Sequence, residues 1–289
     1  MVLEIKQFIK KNVLIENLVR KIALPLFWFV CKKDELIIAL RRKGILHQSK
    51  YNYLRDLKNT HEGERCFIVA TGPSLTYEDL HAIKDEYSFG MNSCVLALEK
   101  TDWIPSLYGI QDEYVYLKVK EVLMQEAKIR LKDKILVADT MAKLCPETAI
   151  FHQFPHTFMD HKYDHKKTGI VRFSQDCDII VYDGYSILFS LMQIAVYMGF
   201  KEIYLLGCDC TYKGNKKNFI EHGAIDPNFD IAGMRLIYVH SKFKEYADSI
   251  GVKVYNCTRG GMLEEYPRKT LEEVLANKCF ANNREEILK

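Results

Sequence analysis

The stretch that decides the fold is Arg65–Leu75, RCFIVATGPSL. Cys66–Val69 is a short apolar run with two β-branched residues, the composition of a buried strand. It stops at Ala70-Thr71-Gly72-Pro73-Ser74. There Gly72 opens backbone angles closed to other residues, Pro73 can begin a helix and Ser74 can cap one. Thr76-Tyr77-Glu78-Asp79-Leu80 then starts a helical pattern with acids in its first turn. A strand that turns sharply into a helix presents free N–H groups and a positive dipole end at the top of a sheet, where phosphates bind. The turn is neither G-x-G-x-x-G nor a Walker loop, and an ordinary strand–helix connection has the same spacing.

From Arg65 onward strands and helices alternate. Strands are expected at Ser88–Gly90, Ser106–Ile110, Lys134–Val137, Thr148–Phe154, Asp178–Tyr182, Lys201–Leu206 and Val252–Tyr255. Helices are expected at Tyr114–Arg130, Ile187–Met198 (apolar on nearly every side, hence buried), Ile231–Ile250 and Leu271–Leu275. Phe154–Phe173, with three histidines, and the polar Lys213–Asn228 read as loops. The alternation predicts an α/β fold with a three-layer, mostly parallel sheet. In such sheets ligands bind outside the carboxyl ends of the strands. Those ends supply Thr71, Gly72, Pro73, Ser74, Asn92, Gln111, Asp112, Asp139, Asp209 and Asn256–Gly261, with Ser186 opening the buried helix. The mixture of amides, hydroxyls and carboxylates suits the sugar, base and phosphate of a nucleotide better than an apolar ligand. Arg259 with Gly260 and Gly261 offers a guanidinium and two close backbone N–H groups to a phosphate.

At 289 residues the chain can bury one large core with a small appendage. Its net charge of +3 is unevenly spread, because residues 1–50 carry 11 Lys/Arg against 4 Asp/Glu and the remainder sums to −4. The body thus lacks the basic excess that nucleic-acid binding needs. The basic end includes Ile22–Cys31, IALPLFWFVC, which is about half the length of a bilayer span and is interrupted by Pro25. Trp28 and two Phe between lysines suit a segment lying in a membrane interface, or a helix docked on the body or on a second subunit of a homo-oligomer. The expected layout is therefore 1–50 as a helical, basic interfacial segment, 51–64 as a connector, 65–275 as the catalytic domain and 276–289 as a tail. Nine scattered cysteines without a secretory signal read as reduced thiols in a cytoplasmic protein, held peripherally at the inner face of the membrane. Cys208-x-Cys210 lacks the spacing of a zinc or thioredoxin motif, and no metal site is expected.

Taken together, GERCFIVATGPSL, FGMNS, YGIQDEYVY, MGFKEIYLLGCD and YNCTRGGMLEEYPRKTLEEVL make the chain resemble the 6-hydroxymethylpterin diphosphokinase MptE-like family over roughly Arg65–Leu275. The chain is also similar to the bacterial lipooligosaccharide sialyltransferases, through GPSL at 72–75, Asn92, GFKEIYLLGCD at 199–209, Tyr212, PNF at 227–229 and HSK at 240–242. That second resemblance implies a Rossmann-like domain, a CMP-activated sugar and no metal. It also implies Asn92 on the nucleotide, Tyr212 on phosphate and His240 as general base. Thr71 stands where that family usually has Asn, Asp183-Gly184-Tyr185-Ser186 replaces its Arg-x-Thr-Ser, and Phe219 falls near its second loop tyrosine.

Inverting glycosyl transfer needs a base for the acceptor hydroxyl and groups that neutralise the departing phosphate. Imidazole suits the first role because its ordinary pKa lies near neutrality. His240 lies in a helical stretch and His222 lies in a polar loop, and both stay open as bases. His152, His156, His161 and His165 read as surface loop residues. Three functions follow. One is a glycosyltransferase moving a sugar from a nucleotide donor to a glycan or lipid-linked acceptor at a membrane. Another is an Mg²⁺-dependent diphosphokinase using Asp112, Asp139 and Asp209 on a pterin alcohol. The last is a nucleotide-binding module without catalysis.

Overall fold

The computed structural model describes residues 32–46, 48–157, 171–211, 218–221, 223 and 229–276, with side chains left aside at 229–231. The segment Ile22–Cys31, His161, His165, Tyr212, His222 and most of the 276–289 tail lie outside the described residues. The chain divides into two compact units, Met1–Gln48 and Ser49–Lys289. In the first, residues 32–42 form helix α1, along which Lys32 and Glu35 pair at 2.8 Å. No helix among the described residues is long and apolar enough to cross a membrane.

The second unit is built on a parallel sheet of seven strands. In chain order these are β1 (Arg65–Val69), β2 (Ser88–Met91), β3 (Leu107–Ile110), β4 (Ile135–Ala138), β5 (His152–Phe154), β8 (Glu202–Leu206) and β9 (Lys253–Asn256). Two short strands, β6 (His156–Thr157) and β7 (Val181–Tyr182), pair separately. The main sheet runs β5-β4-β3-β2-β1-β8-β9, and β1 is in register with β8 from Arg65↔Glu202 to Val69↔Leu206. The central strands β1 to β4 are buried over almost every residue, as parallel strands covered on both faces must be.

Helices flank the sheet: α2 (Asn52–Asp56), α3 (Tyr77–Ala82), α4 (Glu113–Ile129), α5 (Ile187–Tyr197), α6 (Phe229–Ser249) and α7 over residues 271–276. The sheet order and its flanking helices give the Rossmann-like architecture the sequence predicts. Helix α5 buries ten of its residues and packs on β1, β2 and β3. Gly109 in β3 makes this possible, because a Cβ there would lie 2.8 Å from a methyl of Leu191. Residues 51–64 contribute Tyr51 and Leu54 to the core of this unit.

Two local readings are corrected. Residues 148–150 are a 3-10 turn (Pro146–Ile150) rather than strand, so β5 begins only at His152. The loop expected from Phe154 holds strand β6, and His156 is buried there rather than on the surface.

Candidate functional site

From β1 the chain steps outward through β2, β3, β4 and β5, then returns to β8 and β9 on the other side of β1. The connections leaving β1 and β8 therefore diverge, which makes their carboxyl ends the topological switch point where open α/β sheets hold ligands. The two exits are in close contact there. Gly72 N–H donates to the Gly207 carbonyl at 2.8 Å, and Ser74 donates to Asp209 Oδ2 through its hydroxyl at 2.8 Å and its N–H at 3.4 Å. Burial pushes the Asp209 carboxyl above its ordinary range, and the Ser74 donors pull the other way. Beyond this contact the Phe219 N–H donates to the Thr71 carbonyl at 2.7 Å, and the Phe219 ring meets Tyr77 edge-on at 5.0 Å. Thr71, Gly72, Pro73, Ser74 and Asp209 are thus brought together.

At the end of β2, Asn92 sits in the left-handed region with φ 48°. Its carbonyl accepts from the Tyr108 hydroxyl at 2.5 Å. Cys94 Sγ donates to the Val69 and Ala70 carbonyls at 3.6 and 3.7 Å, which sets this turn against the exit of β1. The Asn92 Oδ1 and the Ser93 hydroxyl are buried with no hydrogen-bond partner among the described residues. Buried polar atoms are rarely left so in a protein, which makes these two candidate contacts for a bound group. Ser93 falls inside the quoted FGMNS but was not singled out, because a serine after Asn92 has no distinctive spacing.

Several predicted site residues have structural work instead. Ser74 does not cap the helix; Thr76 does, in a capping box with Asp79. A carboxylate of the chain itself, Asp79, thus already lies at the positive end of α3. Arg259 is already engaged, since its guanidinium grips both oxygens of the buried Asp79. Gly260 turns the exposed loop beyond it at φ 70°, where Arg268 donates to the Gly260 carbonyl at 2.8 Å. Asp112 caps α4 by accepting from Val115 N–H at 2.9 Å, and Ser186 caps α5 through Leu188 N–H at 3.2 Å. Gln111 is buried, donating to Asp183 at 3.1 Å and accepting from Ser190 at 2.6 Å. Asp139 accepts from the Tyr51 hydroxyl at 2.5 Å and from His156 N–H at 3.0 Å. Asn256 shapes the β9 exit by donating to the Leu263 carbonyl at 2.8 Å. A cavity of about 340 Å³ opens at that exit, lined by Thr258, Arg259, Arg268 and Lys269 among others.

His240 is on α6 and wholly buried. Its ring lies 4.6 Å from that of Phe189, its Nδ1 is 3.0 Å from the Tyr266 hydroxyl and its Nε2 is 3.5 Å from Cys208 Sγ. Both ring nitrogens are engaged away from solvent, so the imidazole is not presented to an acceptor in this structure. The HSK resemblance that singled out His240, and the helical pattern around it, do not say which face of α6 meets the sheet.

The sheet order, the switch point between β1 and β8 and the polar strand ends define a Rossmann-like α/β protein. The family model described as 6-hydroxymethylpterin diphosphokinase MptE-like matches residues 43–215, more than half of the chain. This chain belongs to that family. No curated protein matches it. Among solved structures it is similar to the MAf glycosyltransferase from Magnetospirillum magneticum AMB-1, at 12% identity and a TM-score of 0.46 over 82% of this chain and 41% of that one. It is also similar to the sialyltransferase CstII from Campylobacter jejuni in complex with the substrate analogue cytidine-5'-monophosphate, at 13% identity and a TM-score of 0.42 over 71% of this chain and 87% of that one. The monofunctional alpha-2,3-sialyltransferase Cst-I from Campylobacter jejuni has 14% identity and a TM-score of 0.43 over 71% of this chain and 79% of that one. The chain spans about two-fifths of the length of the MAf glycosyltransferase (41%).

Proposed function

We propose that this protein is a glycosyltransferase that moves a sugar from a nucleotide donor of the CMP-sugar kind to a glycan or lipid-linked acceptor. The observation that carries the reading is Asn92, whose buried amide oxygen has no partner among the described residues and lies beside the β1 exit. An amide there accepts a hydrogen bond from the nucleoside, while the Gly72–Ser74 turn and Asp209 form the wall against which the rest of the nucleotide lies. Transfer then needs a base for the acceptor hydroxyl. The enclosure of His240 leaves His222 as the base to test first. Neutral imidazole takes the acceptor proton as the sugar leaves the phosphate, a contribution of about 10²–10⁴-fold. The test is release of CMP from a panel of CMP-sugars with glycan acceptors. Wild type should release CMP in proportion to acceptor, and His222→Ala should slow that release by about 10²-fold or more. Acceptor-independent rates, or an unaltered variant, would overturn the assignment.

The family's description favours a second reading, transfer of diphosphate from ATP to a hydroxymethylpterin. Such chemistry calls for Mg²⁺ on oxygen ligands. The three aspartates proposed for it do not fit a shared ion, since Asp112 caps α4 and Asp139 is held by Tyr51, leaving Asp209. Among the described residues the group of three metal-ligating side chains is Cys208, Cys210 and His240, whose sulfur donors do not suit Mg²⁺.

A further inference from the structure

We infer that Cys208, Cys210 and His240 form a zinc site that fastens the exit of β8 to helix α6. Cys208 and Cys210 flank Asp209 at the end of β8, and His240 comes from α6, some thirty residues on. The Sγ atoms and an imidazole nitrogen all lie within 4.8 Å of one another, and all three residues are buried. Tetrahedral zinc with Zn–S of about 2.3 Å and Zn–N of about 2.0–2.1 Å sets sulfur and nitrogen about 3.6 Å apart. Cys208 Sγ and His240 Nε2 are 3.5 Å apart.

Tyr266 is placed to set the tautomer. Its hydroxyl lies 3.1 Å from the His240 carbonyl and 3.0 Å from Nδ1. With the hydroxyl proton on the carbonyl, the same oxygen accepts from Nδ1–H and Nε2 turns its lone pair toward the thiols, the arrangement metal binding requires. A metal-bound histidine is ordinarily oriented in this way, by a partner on its other ring nitrogen.

The backbone is arranged for the same approach. Cys210 is held at φ 51°, unusual for a residue with a side chain, and Cys208 N–H is fixed by Thr258 Oγ1 at 2.9 Å. A Cβ on Gly233 would lie 2.4 Å from the Cys210 carbonyl oxygen, and one on Gly261 would lie 2.8 Å from that of Asp209. Two glycines from separate elements thus let the chain close around this turn. Two thiolates and one neutral imidazole balance a divalent cation, so the occupied site brings no net charge into the core. Metal binding releases the two thiol protons to solvent and changes no oxidation state. No fourth Cys, His or carboxylate joins the group among the described residues.

This site does not rest on the glycosyltransferase reading. The full-length chain, reduced and stripped with a chelator, is titrated with Co²⁺. The expected result is one Co²⁺ per chain, with a thiolate-to-cobalt charge-transfer band and tetrahedral d–d bands that Zn²⁺ displaces. The Cys208→Ser, Cys210→Ser double variant should lose the charge-transfer band. In case that variant does not fold, X-ray absorption on wild type loaded with Zn²⁺ should fit two sulfurs at about 2.3 Å together with nitrogen or oxygen. No cobalt band in a cooperatively melting wild type, a sulfur-free or four-sulfur zinc shell, or a Cys208–Cys210 disulfide formed in air despite saturating Zn²⁺ would each overturn it.

Discussion

Gly72 and Asp209 approach so closely that a Cβ on residue 72 would lie 1.9 Å from Asp209 Oδ2 and 2.4 Å from the Gly207 carbonyl oxygen. The first contact is with a side chain that can turn aside, although it would then lose its bonds from Ser74. The second is with backbone, already joined to Gly72 N–H at 2.8 Å, and cannot yield. Gly72→Ala is expected to cost about 1–3 kcal/mol, as other overpacked sites do, and to weaken nucleotide binding. Urea denaturation with and without nucleotide checks both. An unshifted midpoint would mean that the two exits separate freely.

Glu126 on α4 is a buried carboxylate, 1% exposed, and its partner is Arg130 one turn on at 2.6 and 2.5 Å. The same guanidinium donates to the Leu98 carbonyl and so ties α4 to the 3-10 segment Asn92–Lys100. Arg130→Met would strand a charge in the core. Loss of one member of a buried pair costs about 3–5 kcal/mol, and the partial exposure of Arg130 places this case at about 3 kcal/mol. Adding Glu126→Gln to that variant should restore much of the loss in a denaturation midpoint. If the single variant melts like wild type, water already serves the carboxylate.

His152 stacks on Tyr53 with ring centroids 3.6 Å apart and planes 4° apart. Burial lowers its pKa from the ordinary 6.5, with a smaller opposing effect from Asp133. The fold therefore favours neutral imidazole, while the unfolded chain takes up a proton as pH falls through that ordinary value. Stability should decline as pH drops below about 6.5, and His152→Gln should flatten that part of the curve. Melting temperatures of both proteins from about pH 8 to about pH 5 test this. Parallel curves would contradict it.

The first compact unit, Met1–Gln48, holds most of the basic excess read in residues 1–50. The full chain is expected to float with anionic vesicles, and residues 49–289 alone should not, while still melting cooperatively. Equal flotation of the two would place the membrane contact on the body.

The fold was legible because parallel strands buried on both faces write themselves as apolar runs, and Cys66–Val69 and Ile203–Leu206 are of that kind. Helix α5 was legible for a similar reason, being apolar nearly all round. Strand β6, two residues long, carries too little pattern to be found, while β7 lies within the strand expected at Asp178–Tyr182 but keeps only its last two residues. Within the site, the turn at residues 71–74 and Asp209 were readable from strand ends. The work of Arg259 was not, because its partner Asp79 is 180 residues away in the chain. The same holds for Cys208, Cys210, His240 and Tyr266, which meet only through the packing of α6 against the sheet. A spacing rule can detect ligands on one element and misses those that tertiary structure brings together.

The measurement that tests the central claim most directly is the thermal shift of wild type and Asn92→Ala with CMP in EDTA, beside ATP with Mg²⁺. At about 100 times its dissociation constant a ligand specific to the native state adds about 2.7 kcal/mol, a readable rise in Tm. A rise with CMP in wild type, lost in Asn92→Ala while the apo melting temperatures agree, is the predicted result. A rise only with ATP and Mg²⁺, or a CMP shift unchanged by Asn92→Ala, would contradict a CMP-sugar site at the β1 and β2 exits.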